Sequence, residues 1–340
     1  MSNQSLSLGK IDPATLKHVI FSHLGSKDSR VLLGPSIGED ATVIDFGSKA
    51  LIIHSDPITG AIENIGWHAV NVCANDIATR GVRPQWMLIV FLLPENITLN
   101  QLKRITAQVD EAAKELGVAV VGGHSEVTSS VAHPILITTA IGEAAKHGYI
   151  RTSGARAGDA LIITKGVAIE GTSILAHEFE AALKSKVDKE IIKQARKFIK
   201  KISVVKDAIT AVEAGGVHAM HDATEGGIAG GLQEIAWASK TGLIAHEDKM
   251  IVAPETKTIC ESLSLDPLKT ISSGTLIIAC ENKKAEKIVE CLKREGIPAS
   301  IVGEILRRDQ GVQIVRKNGS KLDLSKQPVK EELWRVFKKS

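Results

Sequence analysis

The chain has 340 residues, 42 of them lysine or arginine and 39 aspartate or glutamate, for a formal net charge of +3. Hydrophobic residues at 44% and charged residues at 24% describe a globular chain with enough material for two cores. So small a charge, with 3% aromatic residues and no basic run interleaved with aromatics, argues against nucleic-acid binding. No apolar run approaches the ~20 residues of a membrane helix. The polar first ten residues hold no secretory core, and Cys73, Cys260, Cys280 and Cys291 form no C-x-x-C pair. The expectation is a cytoplasmic protein with reduced thiols and no structural zinc.

In chain order, Asp12-Pro13 opens a helix that Gly25 can end. Alternating apolar residues over 41–46 and 50–55, joined at Gly47-Ser48-Lys49, predict a β-hairpin. Residues 64–80 have helical period and Gly81 stops them; residues 85–93 form a strand. Thr98 and Gln101 predict a capping box for a helix ending at Gly117, followed by a buried strand over 118–121 and another over 135–141. A second region begins near Arg151. It predicts a strand at 160–164, a long helix over 170–201, a short strand at 217–221 and a helix over 225–239. A strand–helix–strand unit then covers 275–302, and a short helix covers 329–339. Both halves are therefore α+β with crossover helices, and the expected domains are 1–150 and 151–340.

Acidic residues gather at element ends. Gly38-Glu39-Asp40 precedes a strand, His54-Ser55-Asp56-Pro57 closes one, Asn75-Asp76 ends a helix, and Gly122-Gly123-His124-Ser125-Glu126 follows a strand. Carboxylates at such positions are the ligands Mg²⁺ takes together with nucleotide phosphates, and adjacent glycines let backbone N–H groups approach phosphate oxygens. Taken singly, each is also an ordinary turn or cap residue. His221-Asp222-Ala223-Thr224-Glu225-Gly226-Gly227 enters a helix, so it either caps that helix or forms an anion site at its amino terminus. No Walker P-loop occurs.

These segments resemble the aminoimidazole-ribotide synthetase (PurM-like) superfamily. Ile37–Ala41 is similar to its G-[DE]-D-A loop, His54-Ser55-Asp56 to its T-T-D or S-T-D strand end, and Asn71–Pro84 to its N-D-[IL]-A-x-x-G-A-x-P helix. His221–Ala236 and Leu265–Leu276 resemble the R-D-P-T-R-G-G and G-L-D-P-L segments of the hydrogenase maturation factor HypE branch. The resemblance implies a ferredoxin-like first domain whose strands form a barrel across a homodimer interface, an α/β second domain, and ATP between them. It implies Mg²⁺ on Asp40, Asp56 and Asp76, and nucleotide contacts from Gly38, Glu39, Asp40, Asn75, Asp76, Gly122, Gly123, His124, Ser125, Gly226 and Gly227. Asp222 and Thr224 are then the residues expected to face the phosphates or the acceptor.

The family transfers phosphate from ATP to an oxygen, often of an amide, carbonyl or carbamoyl group, making it a leaving group. The acceptor, a small molecule or a protein-borne group, is not legible. The alternative is a nucleotide-binding maturation partner without turnover. Three departures bear on that choice. His124 stands where the family has a carboxylate, so either Glu126 substitutes, His124 contacts phosphate, or His124 is only a hydrogen-bonded neighbour. Glu225 stands where HypE has arginine, and Ile169-Glu170 replaces an acidic–His pair. No cysteine follows Cys291, so reaction on a terminal thiol of the HypE kind is not expected.

Overall fold

The computed structural model describes residues 10–59 and 63–337, which form two sheets backed by helices. Asp12 caps the short helix α1 (Pro13–Thr15), its carboxylate accepting the Thr15 N–H at 3.0 Å. β1 (Val31–Leu33) lies beside the hairpin of β2 (Thr42–Phe46) and β3 (Lys49–Ile58), whose register runs from Phe46↔Lys49 to Thr42↔Ile53. α2 (Ile65–Ala78) is buried along its whole length, and Gly81, at φ +73°, turns the chain out of it. β4 (Trp86–Leu93) leads to α3 (Leu99–Leu116), which begins with the reciprocal Thr98–Gln101 capping box and ends at left-handed Gly117. β5 (Ala119–Val127) and β6 (Ile135–Ala145) complete a sheet of order β1-β2-β3-β6-β4-β5.

β3 and β4 are both antiparallel to β6 between them, and β4 runs parallel to β5. This is the split β-α-β wiring of a ferredoxin-like unit. Helices cover one face only. Along β4, Met87 and Ile89 are buried beneath them, whereas Trp86 and Leu88 on the other face are 37% and 40% exposed.

The second half contributes β7 (Ala160–Thr164), α4 (Ile169–Glu178), α5 (Glu180–Leu183), α6 (Lys189–Arg196), α7 (Val205–Ala214) and β8 (Val217–Asp222). There follow α8 (Gly227–Ser239), β9 (Gly242–His246), α9 (Pro254–Leu263), β10 (Leu276–Cys280), α10 (Ala285–Arg294) and β11 (Ala299–Leu306). The β12 (Val312–Val315) and β13 (Lys321–Asp323) hairpin and α11 (Trp334–Phe337) end the described chain. The sheet order is β13-β12-β9-β11-β7-β10-β8, antiparallel except between β9 and β12. β7 and β10 are central and buried on both faces, which is why their sequences are unbroken apolar runs rather than alternating ones.

Two expectations need correction. The helix over 170–201 is interrupted at Phe179 and again at Lys184–Asp188, where Asp188 caps a new start by accepting the Glu190 N–H at 2.7 Å. The strand expected to be buried at 118–121 is instead an exposed edge strand that continues to Val127. Its apolar residues reflect an uncovered sheet edge rather than a core position.

Where the two halves meet, His68 and Glu170, each in the first turn of its helix, form a buried pair with Nε2 and Oε1 3.4 Å apart. Burial pushes the imidazole down to about 4 and the carboxyl up to about 7. A depressed histidine keeps its stability contribution above its unfolded value of 6.5 and loses it as the pH falls toward 4, here by about 3 kcal/mol. Glu170, being raised, acts in the opposite sense between pH 4.5 and 7, so the informative quantity is a difference. Relative to wild type, His68→Asn should lose less stability on acidification from pH 6.5 to 4. Identical slopes in pH-dependent thermal melts would remove His68 as the cause.

Candidate active site

The loop before β2, the middle of β3, the last turn of α2 and the end of β8 converge on one acidic cleft. Asp40 enters from the loop, made possible by Gly38. That residue has φ +81°, and a Cβ there would come within 2.7 Å of the Glu234 carbonyl of α8. Asp40, His221 and Asp222 each place a ligand atom within 4.8 Å of the others, as do His54, Asp56 and Asp76.

Charge balance governs the geometry. Arg80, 0% exposed just past α2, donates from Nη1 to Glu39 Oε2 at 2.6 Å and from Nη2 to Asp40 Oδ2 at 2.8 Å. The other Asp40 oxygen lies 2.5 Å from His221 Nδ1, and His221 Nε2 lies 2.6 Å from Glu234 Oε2. Burial opposes ionisation of Asp40, but His221 and Arg80 outweigh it and hold the carboxyl well below its usual range. Burial likewise pulls His221 down, yet Asp40 and Glu234 hold it well above. His54 Nε2 sits 3.5 Å from Asp56 Oδ1 and 3.4 Å from Asp76 Oδ2. Against its burial, Asp76 and then Asp56 raise the imidazole to about 10.

Two carboxylates remain under-compensated. Asp76 is pushed well above its usual value by burial, with Asp222, Asp56 and Asp40 adding to the strain against the relief from His54. Burial and then Asp40 push Asp222 up to about 7. Asp76 Oδ2 and Asp222 Oδ2 are both buried without a hydrogen-bond partner. Crowded oxygen donors with orphaned lone pairs fit a hard divalent cation such as Mg²⁺.

The structure brings together Asp40, Asp56, Asp76 and Asp222, with Thr224 beside them through Lys10. The Lys10 Nζ donates to Thr224 Oγ1 at 2.9 Å and its backbone N–H donates to Glu225 Oε2 at 3.0 Å. Other expected residues have different tasks. Glu39 is engaged by Arg80 and by the Thr152 and Ser153 N–H groups at 3.2 and 3.1 Å. Asn75 is wholly buried, donating from Nδ2 to the Ile202 carbonyl and accepting the Val204 N–H, both at 2.8 Å. Gly226 gives its N–H to Glu331 Oε2 at 2.7 Å, so the amino terminus of α8 already faces a carboxylate of this chain. Gly227, at φ +59°, packs where a Cβ would meet the Thr270 carbonyl at 2.5 Å.

Gly122, Gly123, His124 and Ser125 are not a loop but part of β5. Asp56, Thr138, Ile89 and Gly123 lie in one row across the sheet, three strand spacings or about 14 Å from end to end. His124 is exposed and its Nε2 meets Glu126 Oε2 at 3.3 Å, so the pair contacts each other outside the acidic cleft.

Sequence reasoning missed Arg80, His54, His221, Glu234 and Lys10. His54 and His221 stand in the same short motifs as Asp56 and Asp222, which was a usable signal. Lys10 carries none, because only the fold brings it to Thr224.

Comparison with known proteins agrees with this layout. Residues 38–144 match the AIR synthase related protein N-terminal domain, and residues 156–316 match the C-terminal domain. Over 317 residues the chain is 30% identical to a protein named for hydrogenase expression and formation from Methanocaldococcus jannaschii, covering 90% of this chain and 91% of the relative. The chain belongs to the AIR synthase-related family. Within that family it is also 30% identical over 297 residues to carbamoyl dehydratase HypE of Escherichia coli, covering 86% and 84% of the two chains. A crystal structure of hydrogenase maturation protein HypE in complex with ATP has a TM-score of 0.72 and 25% identity, covering 97% of this chain and 98% of that one. The resemblance seen in the motifs and the PurM-like two-unit fold are thus both found. Lys10 places a cation beside Thr224 and Glu225. Among the described residues no helix is long and apolar enough to cross a membrane.

Proposed function

We propose that this protein is an ATP- and Mg²⁺-dependent enzyme that transfers phosphate to an amide, carbonyl or carbamoyl oxygen of a small-molecule or protein-borne acceptor. The observation that carries this reading is the set Asp40, Asp56, Asp76 and Asp222, with orphaned oxygens on Asp76 and Asp222. These carboxylates would hold Mg²⁺, which when bound supplies charge neutralisation for the phosphates. Lys10 presents an ammonium beside Thr224, where a transferring phosphoryl group needs positive charge. Asp40 is fixed by Arg80 and His221 and sets the position of the cluster. The carbamoyl dehydratase relatives and the ATP complex of HypE support the nucleotide and the class of acceptor.

A second reading, a nucleotide-binding maturation partner without turnover, draws on Gly226, whose N–H is already taken by Glu331. Phosphate release from Mg-ATP across a panel of amides and carbamoyl compounds separates the two. Turnover that depends on one acceptor class is expected. Tight nucleotide binding with no turnover under any acceptor would transfer the case to the partner reading.

We also infer a homodimer in the cytoplasm. Free cysteines, three of them buried, suit a reducing compartment. The helix-free face of the first sheet and its β5 edge expose Trp86, Leu88, Val120, Val121 and Val127. A twofold copy would cover both face and edge and would bring Gly122–Ser125 into the interface. The wild type should scatter light as a dimer at micromolar concentration, and Leu88→Glu with Val121→Glu should shift it to monomer. A monomeric wild type would refute the interface.

A further inference from the structure

Away from the acidic cleft, at the turn that joins the two sheet units, lies a cavity of about 250 Å³ lined by His147, Tyr149, Arg151, Arg156 and His218. No aspartate or glutamate is among its lining residues. Arg151 donates from Nη2 to Tyr149 Oη at 2.9 Å, and its guanidinium lies over that ring, 5.4 Å from the centroid. Neither Arg151 nor Arg156 has a carboxylate partner among the described residues. Two guanidiniums lining one cavity without a carboxylate between them favour an anion there, and their planar forks match phosphate oxygens.

The third wall is a histidine of fixed orientation. His218 Nδ1 is held 2.9 Å from Asp159 Oδ1, and Asp159 Oδ2 also accepts the Arg156 N–H at 2.8 Å. With Nδ1 committed to the buried carboxylate, Nε2 is the nitrogen left to hydrogen-bond a ligand oxygen. The same aspartate thus sets both the imidazole and the backbone that carries Arg156.

We propose that this cavity binds a small phosphate-class dianion, either inorganic phosphate or the head of a phosphate monoester, bridged between Arg151 and Arg156. The volume falls below the ~300–1,000 Å³ of pockets that enclose drug-sized ligands, so it suits a phosphoryl group, with anything attached to it left outside. The site is independent of the nucleotide reading but is coupled to the acidic cleft through the backbone. Arg151 and Arg156 bracket the turn whose Thr152 and Ser153 N–H groups hold Glu39, and Glu39 in turn holds Arg80. Gly154 presses that turn against β8, since a Cβ there would lie 2.1 Å from the His218 carbonyl. A bound anion therefore clamps the segment that supports Asp40.

The test titrates inorganic phosphate into the full chain by calorimetry and thermal shift at constant ionic strength, with phenyl phosphate as a parallel arm. Saturable binding and a rising melting midpoint are expected. Arg151→Gln with Arg156→Gln should weaken binding at least about tenfold, while Mg-ATP affinity measured without added phosphate stays at the wild-type level. Arg156→Lys, a point charge without the fork, should fall between the two. Tighter binding of phenyl phosphate assigns the site to a monoester head, and tighter inorganic phosphate assigns it to the free ion. Should the double variant fail to fold, the single variant Arg156→Gln, which alters an exposed side chain, takes its place. Absence of saturable phosphate binding by the wild type overturns the proposal. So does undiminished binding by the arginine variants, which would put the phosphate elsewhere.

Discussion

Arg80→Met should cost about 3–5 kcal/mol of stability, the range for breaking a buried ion pair from one side. The arginine is fully enclosed and is the shared partner of Glu39 and Asp40 at 2.6 and 2.8 Å. Methionine fills much the same volume, so the loss would be electrostatic rather than a cavity effect. Glu39 would keep two backbone N–H donors, whereas Asp40 would keep His221 and a long hydrogen bond from the Thr152 hydroxyl at 3.4 Å, with no arginine to balance its charge. Adding Asp40→Asn to Arg80→Met should recover part of the loss, because the stranded charge is then gone. Denaturant unfolding of the single and double variants measures both quantities. A loss below about 1 kcal/mol for Arg80→Met would mean that water replaces the guanidinium, and the clamp would then be no part of the fold.

Asp76→Asn should act in two directions at once. In nucleotide-free protein it removes the most strained carboxylate of the cleft, one pushed well above its usual value by burial and by Asp222, Asp56 and Asp40. Thermal stability should therefore hold or rise. Mg-ATP affinity should fall by ~1–3 kcal/mol, about fivefold to more than a hundredfold, because a charged oxygen donor is lost. A stabilised protein that binds worse is the signature of a site kept strained for function. Calorimetric titration with and without Mg²⁺ settles it. Equal affinities in Asp76→Asn and wild type would show that the cation, if bound, does not use this residue.

The sequence carried the local structure where local chemistry decides it. The Thr98–Gln101 box, the turn at Gly47-Ser48 and the stop at Gly81 each depend on a few neighbouring residues, and each is found. Residues 170–201 were harder to read, because charged helix formers continue across breaks that tertiary packing imposes at Phe179 and Lys184–Asp188. At the site, motif residues marked the carboxylates but not their counterions. Arg80 and Lys10 are linked to their partners over 40 and more than 200 residues of sequence, and spacing holds no trace of such pairings. Gly122–Ser125 were misplaced for a related reason. A glycine pair after an apolar run has the same appearance at a strand end as inside a bulged edge strand, and only the register with β4 distinguishes them.

Asn75 has a mechanical consequence. Its side-chain amide spans from α2 to the backbone at Ile202 and Val204, and nearby Trp67 donates its indole N–H to the Ile199 carbonyl at 2.9 Å. These three bonds cross from one half of the molecule to the other, and the Asn75 pair lies where no solvent reaches. A hinge opening along this seam would exchange all three hydrogen bonds for water at once, at about 0.5–1.5 kcal/mol for each bond. A slide by one residue would break the same set. Opening and sliding are both resisted by the same three bonds, so the seam acts as a latch that holds the two halves in register around the acidic cleft.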